Sequence, residues 1–317
     1  MKDKDPLISI CILNYNGIKF VNRLFDSLRQ VQFKNIEIIV VDNNSTDNSL
    51  SQIKWELSTS WVHSTKLIES RKNLGYAGGQ NLAASFANGT YIYFLNIDCY
   101  VEPDFMDCVK FMESNRNIDI CQPLIVNYDS NIIQNMGMDM GYLGHLSIHG
   151  KDKDVNSIEG NSTILYEISS VLGAAFAIRR ELFKKIGGFD ETFFMYFEET
   201  DLCWRAKLLG YGVYFYHNPI LMSKVYHKAY GTISSNKRLN SLFTRNRLVS
   251  MLKNLQSVSL IFLFMMIVIS IIGSKRPNII TRICGEFLLS IPKALKCRIV
   301  IQKLRIKRDK DIIKKLW

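Results

Sequence analysis

An α/β fold, with a mostly parallel sheet flanked by helices and a helical appendage at the C-terminus, follows from three features of this sequence. Apolar runs of strand length alternate with stretches whose apolar residues recur at helical spacing. Those strand-like runs end on Asn, Asp or Gly clusters. Beyond residue 250 the pattern changes to a long uncharged apolar segment and then a basic tail.

Leu7 to Leu13 is a short run rich in β-branched residues, and the N-Y-N-G turn after it carries Asn14 and Asn16. Ile18 to Val31 has helical spacing, and Ile36 to Val41 is a second strand ending on Asp42. Strand, helix, strand predicts a parallel pair joined by a right-handed crossover. D-N-N-S-T-D-N-S, residues 42–49, therefore lies at the carboxyl end of a strand, where open α/β sheets bind their ligands. Asp42 there can accept a hydrogen bond from a base or ribose, and Ser45 or Thr46 can cap the next helix. A plain Asx turn with a cap accounts for the same residues.

R-K-N-L-G-Y-A-G-G-Q-N, residues 71–81, opens a helix that runs on to Asn88. Gly75, Gly78 and Gly79 permit close backbone approach at its N-terminus, an arrangement that receives phosphate. The spacing is not G-x-G-x-x-G, which disfavours a nicotinamide enzyme. Tyr91 to Leu95 is a third strand and delivers Asn96 and Asp98 to the same edge, where Asp98 can be an oxygen ligand to a hard divalent cation.

The stretch Gly187 to Arg205 sets Glu198, Glu199 and Asp201 behind Phe193, Phe194, Tyr196 and Phe197, where an apolar segment enters a helix. The helix dipole favours negative charge there. A carboxylate against aromatic walls holds its proton more tightly, which suits a general base. Alternatively the acids only cap the helix, with Asp201 and Arg205 forming an i,i+4 pair. Residues 127–165 are rich in Gly, Asp, Asn and Ser with little periodicity, as expected of loops that choose an acceptor.

The chain has 317 residues, 47% hydrophobic and 22% charged, a globular composition. Its seven cysteines are scattered without a C-x-x-C pair, which points to a reducing cytosol and against a disulfide framework or zinc site. The N-terminus has no signal-peptide pattern. The net charge of +11 is not a nucleic-acid footprint: from Lys275 to Trp317 thirteen Lys or Arg face three acids, so the basic character belongs to the tail. Asn254 to Ser274 is uncharged and close to the ~20 residues that a membrane-spanning helix needs. Basic flanks on both sides resist translocation, so we expect a re-entrant or interfacial seat, assisted by an amphipathic stretch from Ile279 to Val300, on an anionic membrane surface. A helix buried against the body is the alternative.

The motifs together resemble family 2 glycosyltransferases of the GT-A fold, a Rossmann-like sheet, and most closely their rhamnosyltransferase-like branch. They are N-Y-N-G (14–17), V-V-D-N-N-S-T-D (40–47), N-L-G-Y-A-G-G-Q-N (73–81), L-N-I-D (95–98), G-A-A-F-A-I-R-R-E-L-F (173–183), the 187–206 stretch and Y-H-K-A-Y-G (226–231), in the family's order. The resemblance implies an inverting transfer of a sugar, rhamnose among those it implies, from a nucleoside diphosphate donor to a glycan or lipid-linked acceptor. It needs Mg2+ or Mn2+ and works at the cytoplasmic face of a membrane.

It implies roles for residues as well. Asp42 contacts the base, Arg71 and Asn73 lie near the base and phosphates, and Asn14, Asn16, Asn44, Gly75, Gly79, Asn81 and Asn96 complete the donor-binding set. Asp98 and His227 bind the metal, with Asn96 standing where the family has a first Asp. The base is Glu199 or Glu198, here Glu where the family usually has Asp, and Asp201 is a structural partner of Arg205. The implied organisation is a catalytic domain over 1–250, divided into a nucleotide-sugar half (1–126) and an acceptor half (127–250), followed by a membrane-associated tail over 251–317. A nucleotidyltransferase and a non-catalytic nucleotide-sugar-binding scaffold remain as alternatives.

Overall fold

The computed structural model describes residues 7–313 apart from 60–61, 63, 142–143, 159, 161, 222, 229–236, 257–259 and 261–276. The chain opens as β1 (Ile8–Asn14), α1 (Ile18–Arg29), β2 (Ile36–Asp42), α2 (Ser49–Ser58), β3 (Ser64–Glu69), α3 (Gly75–Ser85) and β4 (Tyr91–Asn96). The strand runs are apolar without alternation because both sheet faces are covered. Ile8, Ile10 and Ile12 pack with Val21, Leu24 and Phe25 of α1, while Cys11 packs on the other face with Ala77, Ala83 and Ala84 of α3.

Next come β5 (Cys99–Val101), α4 (Asp107–Ser114), β6 (Ile120–Gln122), β7 (Leu124–Asn127), β8 (Ile133–Asn135), β9 (Met138–Met140), β10 (Leu146–Ile148) and β11 (Ile164–Glu167). They are followed by β12 (Ala175–Arg179), α5 (Arg180–Lys185), α6 (Glu198–Leu208), β13 (Val213–His217) and β14 (Lys224–His227). The main sheet has the order β11-β13-β6-β12-β4-β1-β2-β3. It is mixed: β3, β2, β1 and β4 are parallel, while β12 and β11 run against their neighbours. The chain builds outward from β1 through β2 to β3 and then returns to place β4 on β1's other side. That reversal opens a crevice at the carboxyl ends of β1 and β4.

A second sheet, β5-β14-β7-β8, sets His227 opposite Cys99. The 127–165 stretch, expected as loops, thus holds β8 to β10 and reaches into β11. Strands of three or four residues are too short for alternation to show in a sequence.

At the C-terminal end lie α7 (Lys237–Asn254), α8 (Pro277–Leu304) and α9 (Asp309–Ile312). The expected division between residues 250 and 251 falls inside α7. Lys253 is 1% exposed and donates to Asp201 (2.9 Å) and Asp190 (2.7 Å), so α7 is anchored in the body on both sides of that point. Asp201 also pairs with Arg205 as expected, Nε to Oδ2 at 2.8 Å, but in the interior. From α8, Arg298 donates to the carbonyls of Leu252 and Leu255, and Gln302 to that of Asn254 (3.0 Å), covering the open end of α7. Among the described residues no helix is long and apolar enough to cross a membrane. Most of the apolar 254–274 segment lies outside the described residues.

Replacing Lys253 by Ala removes the shared cation of two carboxylates and leaves Asp201 with Arg205, Ser250 and Asn254 and Asp190 with Thr192, so we expect a loss of about 2–4 kcal/mol. Chemical denaturation measures it, and a loss below about 1 kcal/mol would show that the α6–α7 contact does not depend on this ion pair.

Candidate active site

The crevice is a cavity of about 360 Å³ whose lining includes Tyr15, Asn43, Asn73, Tyr76, Asp98 and Met195. Its edge is set by strand register: Asn14 lies opposite Asp42, and Leu13 opposite Asn96. The turn after β1 is tight at Gly17, where a Cβ would stand 2.5 Å from Asn14 Oδ1 and 2.9 Å from Ile97 Cγ1.

Of the residues expected to hold a donor, Asn16, Asn73, Gly75 and Asn96 line the cavity. Asp42 does not. It is 2% exposed and turned inward, accepting from Asn14 Nδ2 (2.7 Å) and the Ser45 amide (3.0 Å). Asn14 is consumed in the same network, and Asn16 Oδ1 accepts from the Thr46 amide at 2.8 Å. The residue just after β2, Asn43, lines the cavity instead. Its Nδ2 donates to Asn73 Oδ1 (3.0 Å) and its Oδ1 accepts from the Leu74 amide (2.8 Å), so it ties the glycine-bearing loop to the sheet. Asn44 is exposed in a left-handed turn at φ 64°, and Arg71 is exposed on the loop before α3.

Two expected binding residues have packing roles. A Cβ on Gly79 would sit 2.3 Å from Leu13 Cδ1, so this glycine lets α3 lie against β1. Asn81 braces α3 to the turn before α6, exchanging bonds of 2.9 Å with the Phe189 amide and carbonyl and donating to Glu191 (3.0 Å). Gly75 is required on both counts, with φ at +72° and a Cβ position only 2.3 Å from the Phe194 carbonyl oxygen.

Asp98 and His227 come together at the cavity rim from the two sheets, His227 Nε2 standing 3.4 Å from Asp98 Oδ1. The Gln134 Oε1 on β8 lies 2.7 Å from His227 Nδ1. An amide oxygen only accepts, so Nδ1 donates to it and Nε2 is the nitrogen placed to ligate a cation beside Asp98. Two ligand atoms each ~2.1 Å from a six-coordinate ion stand roughly 3 Å apart, so the pair fits a small divalent cation. The held far nitrogen is what metal-binding histidines have. Cys99 has its Sγ within 4.8 Å of that set, but its thiol is wholly buried, held protonated by desolvation and then by the Asp98 charge, and faces the Ala174 carbonyl at 3.6 Å. Asn96 adds a neutral amide to the rim.

Glu198 and Glu199 begin α6, whose N-cap, Phe197, is left-handed. Burial pushes both carboxyls up. Glu198 rises well above its ordinary range, with the Glu199 charge adding to burial, and Glu199 rises to about 7, moderated by the Glu199 and Gly173 amides. Each has one buried oxygen with no hydrogen-bond partner. Glu198 is 4% exposed, whereas Glu199 keeps an open edge. The Glu199 carboxyl abuts Gly173, whose carbonyl accepts from Tyr76 Oη (2.5 Å), and Tyr76 is a cavity wall. Asn43, Tyr76, Gly173 and Gln134 were not singled out from sequence. The first three sit inside motifs that were read, so only their facing was missing.

Residues 9–187 match the family described as "Glycosyl transferase family 2", and residues 157–228 match "N-terminal domain of galactosyltransferase". The low-salt glycan biosynthesis hexosyltransferase Agl10 of Haloferax volcanii is 25% identical over 204 residues, 63% of this chain and 61% of that one. The Escherichia coli UDP-Glc:alpha-D-GlcNAc-diphosphoundecaprenol beta-1,3-glucosyltransferase WfaP is 33% identical over 113 residues, 35% of this chain and 43% of that one. The solved structure of GalNAc-T7 with UDP, GalNAc and Mn2+ superposes with a TM-score of 0.67 at 18% identity, covering 92% of this chain and 58% of that one. This chain thus spans less than two thirds of each of these proteins, and the structural likeness is one of fold.

If Asp98 and His227 bind a cation, Gln134→Ala should weaken Mn2+ binding by about 10–100-fold and Asp98→Asn by at least as much, measured by titration calorimetry. Equal affinity in all three proteins would leave the pair as strand-end residues.

Proposed function

The chain belongs to glycosyl transferase family 2, and from that premise we propose that it transfers a hexose from a nucleoside diphosphate to a hydroxyl of a growing glycan or lipid-linked oligosaccharide, with inversion. The observation that carries the reading is the placement of Glu199, partly exposed at the start of α6, behind the cavity wall residue Tyr76, with Asp98 on the cavity lining and His227 3.4 Å from it.

The proposed step is a single displacement. The acceptor oxygen attacks the anomeric carbon as Glu199 takes its proton, and the bond to the diphosphate oxygen breaks with its electron pair leaving on the nucleotide. A divalent cation held by Asp98 and His227 supplies positive charge for the diphosphate. Asn43 and Asn73 shape the floor where the nucleotide lies, in the position first expected for Asp42. We assign the base to Glu199 over Glu198 because only Glu199 has an open edge. Rhamnose is one sugar to test, and UDP with a hexose is favoured by the similarity to WfaP, a UDP-Glc glucosyltransferase.

We also propose that α8 seats the protein on the cytoplasmic face of a membrane. Leu289 and Ile299 on α8 and Ile306 just after it are 85%, 69% and 74% exposed, and Lys293, Lys296 and Lys303 are exposed around them, a pattern that suits an anionic interface. Co-sedimentation with phosphatidylserine vesicles at low salt should capture the full chain while neutral vesicles do not. Failure to bind either would remove the membrane seat.

A panel of nucleotide-linked rhamnose, UDP-glucose, UDP-GlcNAc and GDP-mannose with Mn2+ tests the function, and donor binding without release of nucleotide would favour a scaffold. With the active donor, Glu199→Gln should lower kcat by ~10²–10⁴ with donor affinity nearly unchanged. The deprotonated form is the active one, so the wild-type rate should rise with pH through about 7 and then level. Because the folded protein holds this proton more tightly than the unfolded chain, the Glu199 charge costs stability increasingly from pH 4.5 to about 7, and Glu199→Gln should gain stability at pH 8. Loss of turnover in Glu198→Gln alone would exchange the two roles.

A further inference from the structure

The turn that delivers Glu199 is met by α3, whose Ala77 amide donates to the Phe194 carbonyl (3.2 Å), and is gripped from α7 by a single side chain that bonds three of its carbonyls. Phe194, Tyr196 and Phe197 take φ of 62°, 68° and 73°, a left-handed backbone that bulky residues adopt only under constraint. The constraint is Asn246, wholly buried in α7. Its Nδ2 donates to the carbonyls of Phe193 (2.9 Å), Met195 (2.9 Å) and Tyr196 (2.7 Å), two protons shared among three acceptors. Arg245 fixes which way that amide points: its Nη1 donates to Asn246 Oδ1 (2.6 Å) and to the Thr192 carbonyl (2.7 Å). Phe243 adds an edge-on contact to Phe197 at 5.4 Å. One turn further along, Ser250 and Asn254 hold Asp201 in α6 at 2.9 and 3.0 Å.

Each of these contacts acts on backbone adjoining the reacting groups. Phe194 and Met195 line the cavity, and Phe197 is the residue from which α6, and with it Glu198 and Glu199, starts. Nothing else in the described residues bonds all three carbonyls. We propose that Asn246, oriented by Arg245, is a positioning residue that places the Glu199 carboxyl and the Phe194–Met195 wall. The assignment rests on the transferase reading for its catalytic consequence, and on the geometry alone for its hold on the turn.

Asn246→Asp keeps the shape and leaves at most one donor, none when ionised, and Asn246→Ser leaves one shorter donor. In the full chain, Asn246→Asp should lower kcat on the order of 10²-fold with the donor KM within about 2-fold, and Asn246→Ser should fall between it and the wild type. In Asn246→Ser, which adds no charge, the acid limb of the pH profile should move to lower pH as Glu199 leaves its buried seat. Amide hydrogen exchange at residues 194–199 should quicken while that of β1 and β4 stays as in the wild type. Wild-type kcat and pH midpoint in both variants, or a fall in kcat matching only the lost folded fraction, would overturn the proposal. A wild-type protein that turns over no donor in the panel would fail the transferase reading instead. Exchange at 194–199 then decides by itself, and an unchanged rate there overturns the hold by Asn246.

Discussion

Asp201 has no exposed surface and is surrounded by donors: Arg205 Nε, Ser250 Oγ, Lys253 Nζ and Asn254 Nδ2 all point at its two oxygens. Burial alone would protonate it, but the Lys253 and Arg205 charges outweigh burial and hold its carboxyl below the usual range. A buried charge without this company is among the costliest things a fold can contain. Helices α6 and α7 are therefore bound to each other as donors and acceptor, and Lys253 also lies over the Phe193 ring at 4.9 Å. The start of α6, where the site is built, has its position determined by that pairing.

The same helix holds two kinds of carboxylate. At Asp201 cations converge and the proton is driven off. Two and three residues earlier, Glu199 and Glu198 face Gly173, Tyr76 and each other, no basic side chain among the described residues lowers either one, and burial raises both. One element thus holds an acid kept ionised by its partners and two acids pushed toward the protonated form by burial, separated by environment and not by residue type. The left-handed aromatic turn ahead of them leads into the start of α6, and its strain is offset by the α7 contacts to its carbonyls.

The other half of the site depends on two sheets meeting. Asp98 comes from the end of β4 and His227 from the end of β14, more than a hundred residues apart in sequence, and β5 joins them by pairing with β14 right after Asp98. The Gln134 contact extends that junction into the 127–165 region. A change in the packing of that region would reach the proposed cation site through one imidazole.

The α/β order, the strand ends and their polar clusters were legible in the sequence, because both-face burial writes continuous apolar runs and turn chemistry writes Asn, Asp and Gly after them. The carboxylates of 190–201 and the Asp201–Arg205 pair were legible for the same local reason. Facing was not. Whether Asp42 or Asn43 meets the cavity turns on one backbone step at a strand end, and only the Asn14 and Ser45 bonds decide it. Gly79 and Asn81 sit in a motif that reads as phosphate-binding, yet their surroundings, Leu13 and the 189–191 turn, make them packing residues. The short strands of 133–148 and the grip of Asn246, Ser250, Lys253 and Asn254 were invisible, since their partners are supplied by distant parts of the chain. Local patterning thus determined the elements and the stock of chemical groups, and long-range packing decided which groups face the cavity, which are consumed in holding it, and which carboxylate keeps its proton.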